Sequence, residues 1–370
     1  MIRRAERGGL ALTSVPGRLS LRILAGLCAS LLSGCLTPKR FDENAWRARV
    51  EATREEDLSA PHREPSGRFF NPWLPMEQRT GVLWRWWFSR NSFGADREGG
   101  GASPAVPNDG AYLRDPAQRP SVTEVGHATF VIQWGGQVVV TDPFFGKRAA
   151  LPSRLVAPAF GPEAIPDGAV VVLSHNHYDH LDAASIEALA PRCRFLCPLG
   201  LGEFLRKRGA RDVIELDWWQ TAEIGGTVFT FLPAQHWSRR FGMGWNETLW
   251  GSWLLERDDR KVYFGGDSGY FKGYREFGRR FPGIDVALIG VGAYAPRWFM
   301  HYAHMDVPET VRAFRELGAR YLVPTQSGVL GLGDEPAARP ALELERAAAA
   351  DPWLRERLRV LPVGGRLFLD

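Results

Sequence analysis

Seven consecutive residues concentrate the chemistry of this 370-residue chain: Ser174-His175-Asn176-His177-Tyr178-Asp179-His180. Three of the eight histidines fall inside it. Neutral imidazole and carboxylate are the ligand types that suit Zn(II), Mn(II) and Fe(II). His175 and His177, two apart, share one face of an extended segment and can grip one ion. Asp179 and His180 follow once the chain turns; they point elsewhere and can hold a second ion. A loop rich in histidine by composition alone is the competing reading. The spacing His-x-His-x-Asp-His directly after an apolar strand disfavours it.

The elements that must position this loop are legible around it. Ala169-Val-Val-Val-Leu173 reads as a fully buried strand, so the loop leaves a strand's carboxyl end. Asp182 caps a helix over Ala183 to Ala190. Upstream, Ser121 to Gln133 and Gln137 to Thr141 read as two strands of a hairpin around Gly135-Gly136. Downstream come a helix from Gly202 to Arg208 and strands at Val213–Leu216 and Thr227–Leu232, the latter followed by His236. A strand pair, Gly251–Glu256 and Lys261–Phe264, leads to Asp267 between glycines, which let the backbone turn tightly and approach an ion. Val286–Ile289 is a buried strand. Asp306-x-x-Glu309 has the form of a capping box for a helix that Gly318 stops. Tyr321–Val323, a helix at Ala341–Ala350 and a strand at Arg366–Leu369 complete the order. Periodicity alone supports an α/β fold.

His175-x-His177-x-Asp179-His180 resembles the signature of the metallo-β-lactamase-fold hydrolases. The likeness extends to Glu215-Leu-Asp-Trp-Trp219, Gln235-His-Trp237, Trp250-Gly-Ser-Trp253, Gly265-Gly-Asp-Ser-Gly-Tyr270 and Gly292 to Met300. Together these are similar to N-acylphosphatidylethanolamine-hydrolysing phospholipase D and its bacterial relatives, from about Phe69 to Pro336. The resemblance implies an αββα sandwich and two divalent ions, zinc preferred. It implies His175, His177 and His236 on the first ion, Asp179 and His180 on the second, and Asp267 bridging them. His127 and Asp142, in motifs that resemble the fold's early ones, are expected to support the site from behind its ligands. Asp179 and Asp267 would position a metal-activated water for attack on phosphorus. His304 matches a histidine implicated in substrate contact or proton transfer, and Trp298, Phe299 and Met300 would offer apolar surface to acyl chains. Family members can be dimers.

One position departs from the pattern. Where relatives place a histidine that completes the second site, this chain has Gln326. A Gln amide oxygen is a harder and weaker ligand than imidazole. The second site is then retained but weakened, or empty, or catalysis is lost. The leading expectation is a phospholipase D-like phosphodiesterase acting on N-acylated or other glycerophospholipids. A lactonase of the same fold and a non-catalytic lipid-binding lipoprotein are the alternatives.

Charge excludes a nucleic-acid reading despite a pI near 9.0. Residues 1–34 carry five arginines against one acid, and removing them from 46 bases and 42 acids leaves 41 of each. That segment has a basic start, a short apolar run Ile23–Leu32 and small residues, the form of a secretory signal too short to span a bilayer. Leu32-Ser33-Gly34-Cys35 resembles a bacterial lipobox. Lipidated Cys35 would anchor the chain in the cell envelope, and Leu36 after it favours the outer membrane. We therefore expect a signal over 1–34, a tether and aromatic segment over 35–118, and a hydrolase domain over 119–370. Residues from about Leu36 to Gly67 read as a charged tether, partly ordered at best. Trp84-Arg-Trp-Trp-Phe88 reads either as a membrane- or acyl-facing patch or as a segment laid on the core. Cys193 and Cys197 lie in one short strand, too far apart to pair.

Overall fold

The computed structural model describes residues 41–76, 82–115 and 117–369; the signal segment and Cys35 lie outside the described residues. Residues 44–370 form one compact unit. Its centre is two sheets. The first has seven strands in the order β13-β1-β2-β3-β4-β5-β6, and the second has six in the order β12-β11-β10-β9-β8-β7. The first sheet holds β1 (Ser121–Gly126), β2 (Thr129–Trp134), β3 (Gln137–Thr141), β4 (Val170–Val172), β5 (Arg194–Pro198), β6 (Asp212–Leu216) and β13 (Arg366–Phe368). The second holds β7 (Thr221–Ile224), β8 (Thr227–Leu232), β9 (Ser252–Arg257), β10 (Arg260–Phe264), β11 (Val286–Gly290) and β12 (Tyr321–Thr325).

β4 is apolar at every position because both its faces are covered. Val171 faces a core shared with Val140, Phe195 and Cys197 and with the helices Ala183–Leu189 (α1) and Gly202–Arg206 (α2). Alternation turns Val170 and Val172 toward the second sheet. The sheets are tied where Trp253 Nε1 donates to Leu173 O at 2.9 Å, at the end of β4. Helices Gly273–Arg280 (α3) and Val307–Leu317 (α4) pack together outside the second sheet. The expected αββα layering is present. Asp182 caps α1 through Ser185 N, and Asp306 and Glu309 form the capping box of α4.

Strand direction decides where the chemistry collects. β3, β4, β5 and β6 run parallel, and two antiparallel steps return β1 to the same direction. In the second sheet β10, β11 and β12 are parallel, and two antiparallel steps align β8 with them. His127, Asp142, the 174–180 loop, His236, Asp267, the 292–304 loop and Gln326 therefore all follow carboxyl ends of co-directed strands.

Two expectations need correction, one helix went unpredicted and one open choice is divided. Ser121 to Gln133 is not one strand: the chain reverses at His127-Ala128, with Gly126 paired to Thr129 and φ of +64° at His127. The segment after residue 43 is no tether. Trp46, Val50 and Leu58 are buried, and Leu58 O accepts from Trp219 Nε1. The surrounding charges mask an i, i+4 apolar pair on one helical face. α3 is hidden in the sequence because it contains Gly273 and Gly278; burial of Tyr274 and Phe277 overrides their propensity. The aromatic segment around Trp84 divides its role. Trp86 packs on Phe299 and donates to Asp334, whereas Trp84, Trp87 and Phe88 are exposed. Cys193 and Cys197 are buried and free, as expected.

Candidate metal centre

The sequence-predicted residues converge in two adjoining clusters. The first joins His175, His177, His236 and Asp267. Asp267 Oδ2 lies 3.6 Å from His175 Nε2 and 3.7 Å from His236 Nε2, and His177 Nδ1 lies 3.2 Å from His236 Nε2. The second surrounds His180. Its Nε2 is 3.1 Å from Asp267 Oδ1 and 3.4 Å from Asp179 Oδ2. Asp267 thus turns one oxygen to each cluster.

The hydrogen bonds behind these residues set their tautomers. Asp142 is fully buried and accepts from Ser174 N at 2.7 Å, Ser174 Oγ at 2.5 Å and His180 Nδ1 at 2.6 Å. With its hydrogen spent on Asp142, Ser174 Oγ accepts from His175 Nδ1 at 2.9 Å. His236 Nδ1 donates to Ala303 O at 3.2 Å. Each of the three rings therefore keeps a proton on Nδ1 and turns Nε2 into the site, the nitrogen left to bind a cation. Buried His175 Nε2 and His180 Nε2 have no hydrogen-bond partner among the described residues. Converging, unpartnered ring nitrogens beside two carboxylates fit a divalent cation.

Charge follows the same logic. Burial lowers the His175, His177 and His236 pKa values, to about 4 for His177, so these rings are neutral. Burial opposes the charged form of Asp179 and Asp267 as well, yet His180 holds both carboxyls well below their usual range. His180 in turn is held high against the effect of burial by Asp267, Asp179 and Asp142.

The remaining predicted residues line the rim. His304 is half-buried, with its ring 5.6 Å edge-on from that of His236, and burial lowers its pKa. Trp298 and Phe299 lie on the short helix Arg297–Met300, with Arg85 4.4 Å over the Trp298 ring and the Trp86 ring tilted, 5.1 Å from that of Phe299. Gln326 sits at φ +69°, and its Nε2 donates to Asp267 Oδ1 at 2.6 Å and Gly266 O at 3.3 Å. His127 lies close behind the second cluster, with Nε2 3.0 Å from Asp179 Oδ2. Gly266 is needed where the sheets' loops touch: at φ +56°, a Cβ there would lie 2.5 Å from Ser174 Cβ.

Two supports have no clear mark in the sequence. Asn71 Nδ2 donates to His236 O at 3.0 Å and to Tyr302 Oη at 2.7 Å, so the N-terminal segment braces the third imidazole. Asn71 stands in Phe69-Phe-Asn-Pro-Trp73, where the family likeness begins, and that likeness is its one available signal. Arg240 donates to Asn176 O at 3.2 Å and Leu181 O at 2.7 Å, clamping both ends of the histidine loop. Nothing in its local sequence marks it.

Comparison with known proteins identifies the family and the fold. Residues 137–325 match the model of the beta-lactamase superfamily domain. An uncharacterized protein of Mycobacterium tuberculosis is 33% identical over 95% of this chain and 92% of its own length. N-acyl-phosphatidylethanolamine-hydrolyzing phospholipase D 1 of Caenorhabditis elegans is 33% identical over 57% of this chain and 64% of its own length. A metallo hydrolase from Ignicoccus hospitalis, 19% identical, superposes with a TM-score of 0.52 over 68% of this chain and 99% of its own, a likeness of fold. The chain belongs to the beta-lactamase superfamily and is a metal-dependent hydrolase of that fold.

Proposed function

We propose that the chain is a phospholipase D-like phosphodiesterase, hydrolysing N-acylated or other glycerophospholipids at the cell envelope. The observation that carries the reading is Asp267, one oxygen of which faces His175 and His236 while the other faces His180. A carboxylate so placed could serve two ions at once. His175, His177, His236 and Asp267 would hold the first, with Asp179, His180 and Asp267 around the second. Such ions, zinc by ligand type, would supply a water of lowered pKa and stabilise charge on phosphoryl oxygens.

The chain's own residues do the rest. Asp179 and Asp267 orient the attacking water and accept hydrogen bonds from it. Water oxygen joins phosphorus, the bond to the head-group oxygen breaks, and a proton passes to the departing alcohol. His304, neutral and beside His236, keeps one N–H to donate to that oxygen. Trp298 and Phe299, with exposed Trp84 and Trp87 nearby in the same segment as Trp86, supply apolar surface for acyl chains. Lipidated Cys35 would place the site beside its substrate. Among the described residues no helix is long and apolar enough to cross a membrane. The likeness to the worm phospholipase D supports this substrate over a lactone.

The test is turnover of vesicles containing N-acylphosphatidylethanolamine, scored for phosphatidic acid and N-acylethanolamine, against an acyl-homoserine lactone. Release of both lipid products supports the proposal. Lactone turnover alone selects the lactonase, and binding of vesicles with no turnover of either selects the lipid-binding reading.

A further inference from the structure

We propose that His127 takes the ligand position that Gln326 leaves, so that the second cation is held by His127, Asp179, His180 and Asp267. The inference rests on the metal-dependent reading of the site and concerns which of this chain's residues complete it.

Gln326 is badly placed to ligate. Its side chain lies 2.6 Å from Asp267 Oδ1. A carboxylate oxygen is an acceptor only, so the amide must turn its nitrogen to it, and an amide N–H cannot bind a cation. The same nitrogen lies within reach of Gly266 O. Gln326 is therefore a donor that fixes the bridging carboxylate. The second cluster is left with His180, Asp179 and one oxygen of Asp267.

His127 supplies what is missing. It is 1% exposed, and its Nε2 lies 3.0 Å from Asp179 Oδ2. One ligand atom from each of His127, Asp179 and His180 falls within 4.8 Å of the others. The separations His127–Asp179, Asp179–His180 and His180–Asp267 are 3.0, 3.4 and 3.1 Å. Ligands about 2.0–2.1 Å from a tetrahedral ion stand roughly 3.3 Å apart, so these three separations are of the size expected between neighbouring ligands. The His127 and His180 rings are inclined at 63° with centroids 5.5 Å apart, as for two imidazoles converging on one point. His127 also sits at φ +64°, in the left-handed region, at the reversal between β1 and β2. Gln326 N donates to His127 O at 3.2 Å, so the two positions are coupled through the backbone.

The test counts imidazoles and ions in the full chain titrated with Zn(II) alone. In the wild type, ring-nitrogen NMR of 15N-histidine-labelled protein should show five metal-bound imidazoles, His127, His175, His177, His180 and His236, with two zinc per chain. His127→Asn should bind one zinc, and Gln326→Ala should keep two. Four or fewer bound imidazoles in the wild type overturn the proposal, as does a His127→Asn protein that still holds two zinc at wild-type affinity. Loss of the second zinc in Gln326→Ala overturns it also. Should His127→Asn bind no zinc through misfolding, the wild-type count decides. Five imidazoles without phosphodiester turnover would refute the proposed substrate and leave this inference standing; four with turnover would do the reverse.

Discussion

Replacing Asp142 with asparagine tests whether the residues behind the ligands set the chemistry of the site. Asp142 accepts three hydrogen bonds and is completely buried. Asparagine keeps its volume but has one acceptor oxygen. If that oxygen serves Ser174, the new amide N–H meets His180 Nδ1, which must then give up its proton and accept. The proton moves to Nε2, the nitrogen that faces Asp179 and Asp267, and His180 ceases to be a ligand. Loss of such an outer partner costs about 10–100-fold in metal affinity. Loss of a charge-assisted hydrogen bond in the interior costs about 1.5–3 kcal/mol of stability. Both numbers are measurable on one preparation: isothermal titration with Zn(II) and thermal unfolding with and without metal. The second binding step should weaken by that factor while the first, built on His175, His177 and His236, changes less. Asp142→Ala should be worse in stability, because it leaves donors from Ser174 and His180 unpaired. Unchanged affinity at the second step in a folded Asp142→Asn protein would refute the tautomer argument.

Three further outcomes are expected. Gly266→Ala should lose metal affinity and roughly 1–3 kcal/mol of stability, because the added methyl strains a φ of +56° and meets Ser174; Gly283→Ala, at φ +82° in open space, shares the strain but should keep its metal, and equal metal loss in both would contradict the close-approach account. Burial pushes the Glu124 carboxyl up to about 8 against the opposing Arg154, so its folded pKa lies above the usual 4.5; its contribution to stability should be full below about pH 4.5 and be lost as pH rises through 8, by on the order of a few kcal/mol, and denaturant unfolding of Glu124→Gln should show that part of the slope removed. Trp298→Ala should reduce turnover of long-chain lipids more than of short-chain ones, and an unchanged ratio between them would remove Trp298 from the acyl surface.

The histidine loop is legible in the amino-acid sequence because metal ligation demands particular side chains at particular spacings, and a strand followed by a capped helix is a local pattern. The buried β4 and the α1 and α4 caps are legible for the same reason, since hydrophobic periodicity and capping act over a few residues; the layer order came from likeness to relatives. His236, Asp267 and Gln326 are isolated in sequence, and only likeness to relatives singles them out. What tertiary structure alone decided is which distant groups meet. Nothing local says that Asp142 reaches across to His180, that Asn71 braces His236, or that His127 comes within hydrogen-bonding distance of Asp179. Those contacts follow from strand order and direction, which bring seven carboxyl-end loops to one rim, and from backbone turns at His127 and Gly266 whose conformations are imposed by packing between the sheets. The sequence by itself determined that this chain carries a metal-binding loop on an α/β frame. The fold decided which nitrogen of each imidazole is free, and what Gln326 does in a histidine's place, because both depend on hydrogen bonds between residues far apart in the chain.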